Sequence, residues 1–431
     1  MTLLGHWTRQ IAFSSVAAMA LAAGTAAQAN SHDDSFTIAV LPDTQNYIDY
    51  THQKVEGFPF DASQQFLEQM EYVAANVESV GGDIAFVTSL GDVWQHQSLT
   101  MDPAHIARGF KSAPNPFLDE HLAPTPKVKT VEMPMALKGY QMIAGKVPFS
   151  VVPGNHDHDA WWTDINHPPA KEFKDKSSVG MVHNGGTANF VSVFGKDTPF
   201  FKGKKWYVDS FNGGANSAQI FVAGGYRFLH IGLQLSAPNA ALEWAARVVK
   251  TYPGLPTIIS THDYMMSNGE RLANPIIDLH AVDPDDNSPQ MIWDKFIKQH
   301  DQIFMVLCGH ENGQAFRIDS NEFGHKVYQI LSDYQDRNQT VKDAGLAPTL
   351  FNGIGDGWLR LMRFEMEAAT PKVRVETYST HYRKRSRETA QYAAWYRDHE
   401  QPGKTDEAFH DSDDFAFDLT DFKARFAKTA R

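Results

Sequence analysis

The chain has 431 residues, enough for one large domain or two to three average ones, and its 42% hydrophobic content supplies a sizeable core. Lys plus Arg number 39 against 51 Asp plus Glu, so the formal net charge is −12, which argues against a nucleic-acid coat or a binder of anionic membranes. A single cysteine, Cys308, excludes an intramolecular disulfide framework and any multi-cysteine metal cluster, leaving His, Asp, Glu, Asn and Gln to hold any metal.

Residues 1–29 read as a secretory signal peptide. His6 and Arg9 give a weakly basic start, Ile11 to Ala22 is a short apolar run, and Ala27-Gln28-Ala29 supplies a small-x-small cleavage pattern. An uncleaved anchor helix is the competing reading, but the run is short for a membrane span, and no later segment approaches that length. The expectation is an exported protein, periplasmic or secreted, with no membrane span in its mature chain.

Beyond the leader, short apolar strands alternate with amphipathic helices, which predicts an α/β or layered α+β fold. Strands are expected at 36–41, 84–87, 147–152, 227–233, 257–260, 303–308 and, late in the chain, 373–378. A helix is expected over 62–80, where Phe66, Met70, Val73 and Val77 share a face, with others over 242–250 and 291–299. Insertions are expected at about 96–146 and 158–216. Pro103, Pro114, Pro116, Pro124, Pro126 and Pro134 leave the first little room for regular helix. Residues 381–431 turn from basic (Arg383, Lys384, Arg385, Arg387) to acidic and read as a solvated, partly helical extension, with partner docking as the alternative.

Five polar clusters follow predicted strands: Pro42-Asp43-Thr44-Gln45, Leu90-Gly91-Asp92, Pro153-Gly154-Asn155-His156-Asp157, Thr261-His262-Asp263 and Cys308-Gly309-His310-Glu311-Asn312. Carboxylates and amides mixed with imidazoles suit one divalent first-row metal, or two bridged by a carboxylate. Gly before Asp92, Asn155 and His310 lets the backbone turn sharply, so that the next side chain enters a shared pocket. Loops at the carboxyl ends of strands are where sites form in α/β sheets.

In these five ordered blocks the chain resembles the calcineurin-like metallophosphoesterase superfamily, over about residues 36–380 and including Gly355-Asp356-Gly357-Trp358. The resemblance implies a two-sheet β-sandwich flanked by helices, with a dinuclear site on loops at one edge. It implies that Asp92 bridges two metals, that Asn155, His262 and His310 complete one, and that Asp43, Gln45 and Asn312 complete the other. It further implies that His156 donates a proton to the leaving group while Asp157 orients its ring. A carboxylate near that ring would raise its pKa. The activity implied is hydrolysis of phosphomonoesters or phosphodiesters by a metal-activated hydroxide, and the partner is a phosphate-ester substrate. Asn155 also offers an amide N–H to the developing charge.

The chain departs from that pattern at Gln45 and Asn312, where the family places histidines, and at Gln95, where it places a second Asp of the Asp92 block. Asp-x-Gln in the first block resembles one branch of the superfamily. One metal position then has only oxygen donors (Asp43, Gln45, Asp92, Asn312), favouring Mn, Mg or Ca, while the other keeps two imidazoles and favours Mn, Fe or Zn. The alternative leaves residue 312 outside the coordination sphere, with Glu311 or water in its place. Trp161, Trp162, Tyr264 and Lys202 to Lys205 are candidate substrate contacts, with core packing the competing role for the two tryptophans. The competing function is a non-catalytic or weakly active binding module on a degenerate scaffold. Retention of His156 and Asp92 speaks against it.

Overall fold

The computed structural model describes residues 34–54, 58–172, 174–347, 353–389 and 394–428, which fall in one compact unit. The leader read at 1–29 lies outside the described residues. The architecture is mixed α/β, as the alternation of strands and helices predicts.

A first seven-stranded sheet runs in the order Lys384–Arg385, Lys372–Ser379, Trp358–Glu365, Ser35–Leu41, Ile84–Ser89 and Phe149–Val151, with Phe415–Asp418 also paired to Lys372–Ser379. Its last three ordered strands are parallel. A second runs Gly313–Ser320, Lys326–Asp333, Ile303–Cys308, Thr257–Ser260, Tyr226–Gly232, Asn216–Ala223 and Tyr207–Phe211, with four parallel strands from Lys326–Asp333 to Tyr226–Gly232. A small antiparallel sheet joins Ser112–Ala113, Ala160–Asp164 and Val182–Gly185.

Side-chain alternation explains the layering. In Ser35–Leu41, Phe36, Ile38 and Val40 enter a core shared with Phe228, Ile258, Phe304 and Ile330 of the second sheet, so the two large sheets pack against each other. Ala39 and Leu41 face the other way, against Phe66, Met70 and Val73 of helix Ser63–Ala75 and Tyr140 and Ile143 of helix Met133–Ile143. The second sheet is covered likewise by helices Asn239–Thr251 and Pro289–Lys295, through Leu242, Trp244, Val248, Ile292 and Trp293. Burying each such large apolar side chain contributes about 1.5–3 kcal/mol.

Three sequence expectations are corrected. The helix read over 62–80 stops at Ala75 and resumes as a short 3-10 turn at Glu78–Val80. The proline-rich insertion is not poor in helix: Pro103, Pro116 and Pro134 sit in the first turns of helices Pro103–Ala107, Pro116–His121 and Met133–Ile143. A missing N–H costs nothing there. The tail is not a solvated extension. Phe417, Leu419, Phe422 and Phe426 enter the core between the sheets, and the buried carboxylate of Asp413 accepts hydrogen bonds from Arg337 at 3.0 and 3.2 Å. Among the described residues no helix is long and apolar enough to cross a membrane.

Candidate metal centre

Three parallel strands of each large sheet end at one polar cluster. Leu41, Ser89 and Val151 lead into Asp43, Asp92 and Asn155, while Ser260, Cys308 and Asp333 lead into His262, His310 and Gln335. The backbone is bent hard to aim them. Gly91 sits at φ +106°, Asp92 at +50° and His310 at +69°, so two of the functional residues themselves take the left-handed conformation. Gly154 is required by crowding instead, since a Cβ there would stand 2.2 Å from Asp92 Oδ1.

His262 is the hub. Its Nδ1 lies 2.7 Å from the Leu90 carbonyl, which can only accept, so the hydrogen bond assigns a proton to Nδ1 and turns Nε2 toward the cluster. Around that Nε2 stand Asn155 Oδ1 at 2.8 Å, His310 Nδ1 at 3.2 Å, Asp92 Oδ1 at 3.3 Å and Asp43 Oδ2 at 3.9 Å. One ligand atom each from Asp92, His262 and His310 falls within 4.8 Å of the others. So many electron-pair donors converging on a buried point fit a cation. Burial pulls the His262 pKa down, but Asp92 and Asp43 more than reverse it and hold it well above the ordinary value. Burial likewise opposes ionisation of Asp92, and His262 and His156 overcome it and lower that pKa.

The other half of the centre is an amide network. Gln45 Nε2 donates to Asp92 Oδ2 at 3.3 Å and to Gln335 Oε1, while Gln45 Oε1 is buried without a hydrogen-bond partner. Gln335 Nε2 donates to Asn312 Oδ1 at 3.1 Å, and Asn312 Nδ2 donates to Asp336 Oδ2. Thus Gln45 joins the Asp92 cluster directly and Asn312 joins through Gln335. Asp43 and Asp333 are both buried. Burial, then Asp333, pushes the Asp43 pKa well up, and burial, then Asp336, does the same to Asp333. Asp333, Gln335 and Asp336 are missing from the sequence reading. Their signal is a weaker form of the other five, a strand mixed with Lys326, Tyr328, Gln329 and Ser332 that runs into Asp-Tyr-Gln-Asp. Glu311 Oε1 accepts from Asn274 Nδ2 at 2.8 Å and stands 4.0 Å from His310 Nε2.

The Asn155–Asp157 loop is fixed from behind. The Asn155 carbonyl accepts from Trp161 Nε1 at 2.7 Å and Asn184 Nδ2 at 2.9 Å, and the His156 N–H donates to Asp92 Oδ1 at 2.9 Å. The expected role of Asp157 is corrected: its oxygens accept from the backbone N–H groups of Val93 and Gly154 at 2.9 and 2.8 Å, tying two loops together rather than orienting His156. Burial, with Asp92 nearby, pushes its pKa up to about 8. The His156 ring packs instead against Trp161 and His96, with centroids 4.4 and 5.6 Å away. Its Nε2 stands 3.9 Å from Asp92 Oδ2, yet its pKa is lowered rather than raised, because burial outweighs that carboxylate.

Gln95 turns away from the centre, its Nε2 donating to Asp49 Oδ2 at 2.9 Å. Tyr264 is core, with its hydroxyl on Gln329 Oε1 at 3.1 Å, and Trp161 and Trp162 are buried as well. Lys202 and Lys205 are exposed on the turn before strand Tyr207–Phe211.

No family model matches the chain. Over 239 residues it is 23% identical to the uncharacterized protein YvnB of Bacillus subtilis (strain 168). The match covers 54% of this chain and 14% of that protein, so the chain spans only a small part of its relative's length.

Proposed function

We propose that the chain is an exported, metal-dependent phosphoric ester hydrolase of the calcineurin-like kind, its two large sheets forming that family's sandwich. The observation that carries the reading is the meeting of His262 Nε2 with Asn155 Oδ1, His310 Nδ1 and Asp92 Oδ1 within 3.3 Å, from strand ends of both sheets. Asp92, Asn155, His262 and His310 would hold one ion, and Asp43, Gln45 and Asp92, supported by Asp333, Gln335 and Asn312, a second. When bound, such a pair of ions polarises a phosphoryl group and lowers the pKa of water.

The chain's own groups do the rest. Asp157 pins the Gly154–Asp157 turn to the Asp92 loop, holding Asn155 and His156 at one side of the centre. The Asn155 amide N–H₂ offers a donor to a nonbridging phosphoryl oxygen. His156 Nε2 would carry a proton to the departing alkoxide, an anionic ester beside it offsetting the burial that lowers its pKa. Trp161 and His96 exclude water from one side of that ring.

The test is hydrolysis of p-nitrophenyl phosphate and bis(p-nitrophenyl) phosphate with Mn, Mg, Ca, Zn or chelator. Turnover of either ester with metal, and its loss with chelator, is the expected result. Absence of turnover under every metal would overturn the reading in favour of a binding module on the same scaffold.

A further inference from the structure

A second cluster of metal-type side chains lies on the opposite face of the three-stranded sheet. There Trp161 pairs with Asn184 and Trp162 with His183. Trp161 and Asn184 both face the metal centre, where they hold the Asn155 carbonyl. One residue along each strand, Trp162 and His183 point the other way. The His183 ring lies 4.9 Å from that of Trp162 and 4.7 Å from that of His105, which belongs to helix Pro103–Ala107. Asp283 and Asp286, from the turn after helix Leu279–Val282, complete the group, and ligand atoms of His105, His183 and Asp283 lie within 4.8 Å of one another.

The hydrogen bonds turn the outer nitrogen of each histidine toward carboxylates, an arrangement that a cation fits. His105 Nδ1 is 2.5 Å from Asp102 Oδ2, and His183 Nδ1 is 2.7 Å from the Asn184 carbonyl. Both partners are acceptors, which assigns a proton to each Nδ1 and leaves each Nε2 to a metal ion or a second proton. Both Nε2 atoms face further acceptors: His183 Nε2 lies 3.2 Å from Asp286 Oδ2, and His105 Nε2 lies 3.9 Å from Asp283 Oδ2. The site is shielded, with His183 2% and Asp283 3% exposed, so water does little to screen these carboxylates. Asp102, Asp283, Asp285 and Asp286 supply four carboxylates, and Arg108, bound to both Asp283 oxygens and to Asp285 at 3.2 Å, answers them with one charge. An imidazole whose far nitrogen is fixed by a carboxylate or carbonyl is the arrangement that orients a metal-ligating histidine.

We propose that His105, His183, Asp283 and Asp286 form a structural site for a zinc-type divalent ion. Two imidazoles select a borderline first-row ion over Mg or Ca, and four protein ligands leave no open position for substrate. The ion would join three distant segments, residues 103–107, the three-stranded sheet and the 283–286 turn, behind the sheet that supports Asn155. The proposal is independent of the hydrolase reading.

The test uses the full chain, stripped with chelator, loaded with excess zinc and dialysed, in wild type, His105→Gln and His183→Gln. Each variant is expected to hold one zinc fewer per chain than wild type and to lose most of the zinc-dependent rise in Tm. In a His262→Ala/His310→Ala parent, which lacks the imidazoles of the other centre, one zinc should remain and should disappear on adding His183→Gln. Equal zinc content and equal Tm response in wild type and both folded variants would overturn the site, leaving the histidines as imidazolium partners of Asp283 and Asp286. Should the buried His183→Gln fail to fold, His105→Gln, at a residue 14% exposed, decides alone.

Discussion

The two halves of the candidate centre share a scaffold of parallel strand ends but not a chemistry. In the histidine half, acceptors from both sheets crowd within 3.3 Å of His262 Nε2, and the side chains already stand as an ion would need them. In the oxygen half, the amides of Gln45 and Asn312 are engaged with Gln335 and Asp336, and burial pushes the pKa values of Asp43 and Asp333 well up. A cation entering the first half meets donors already turned toward one point. One entering the second must break the Gln335–Asn312 hydrogen bond and work against the burial that disfavours ionised Asp43 and Asp333. The difference is therefore one of preorganisation as well as donor type.

The largest effect should come from the groups on which the histidine half depends. Asp92→Ala and His310→Ala are expected to lower kcat for phosphoester hydrolysis at least hundredfold, a loss of about 2.7 kcal/mol or more, in protein that remains folded by circular dichroism. Gln45→Ala and Asn312→Ala should cost about tenfold, with most of it regained in excess Mn. Equal, unrecoverable losses in both halves would break the comparison. Retention of more than about a tenth of kcat in either histidine-half variant would remove the metal assignment.

Metal retention separates the halves next. In the His183→Gln background, which takes the distant cluster out of the count, dialysed protein should keep about one tightly bound transition ion, with activity rising when Mn, Mg or Ca is restored. Neutral amide oxygens donate less strongly than imidazole and gain no charge by deprotonation near neutral pH. Gln45→His with Asn312→His should therefore raise zinc retention, the more so because it removes both amide partners of Gln335. Two equally retained zinc ions in the unsubstituted centre would show the halves to be alike.

This asymmetry was half legible in the sequence. Asp43, Asp92, Asn155, His262 and His310 follow short, largely apolar runs, and parallel strands buried on both faces deliver their ends to one edge. Strand Lys326–Asp333 was missed because Lys326, Tyr328, Gln329 and Ser332 interrupt the run, so Asp333 and Gln335 went unseen with it. Asp157 was misassigned because its partners are backbone N–H groups, which carry no sequence signal. The tail's charge pattern points to solvent, but its phenylalanines fill the core between the sheets. The second histidine cluster has ligands at 105, 183 and 283, a spacing no local motif announces.

His156 tests whether proton delivery belongs to the histidine half alone. His156→Ala should slow alkyl phosphates at least tenfold more than p-nitrophenyl phosphate, whose leaving group departs without protonation. Equal slowing of both esters at unchanged metal content would make His156 a packing residue against Trp161.

The smallest effect lies outside both halves, at the loop that leads away from Asp92. Glu132 is buried there, its two carboxyl oxygens accepting from the N–H groups of Tyr50 and Gln95, each at 2.9 Å. Burial, then the nearby Asp49, raises its pKa from 4.5 to about 7. A carboxyl with a raised folded-state pKa binds its proton more tightly folded than unfolded. Its contribution to stability is therefore complete below the unfolded value of 4.5 and is lost as pH rises through about 7. Between pH 6 and 7.5 that loss amounts to about 1 kcal/mol, since each pKa unit is worth about 1.4 kcal/mol. Glu132→Gln keeps a neutral group of the same shape and should abolish this part of the decline, though its amide replaces one acceptor by a donor and lowers stability at every pH by a similar amount. Urea unfolding of both proteins at pH 6 and pH 7.5 reads the difference directly. Parallel pH profiles would mean that Glu132 is ionised throughout, and that the Asp92 loop is braced by a fixed charge instead of a titrating one.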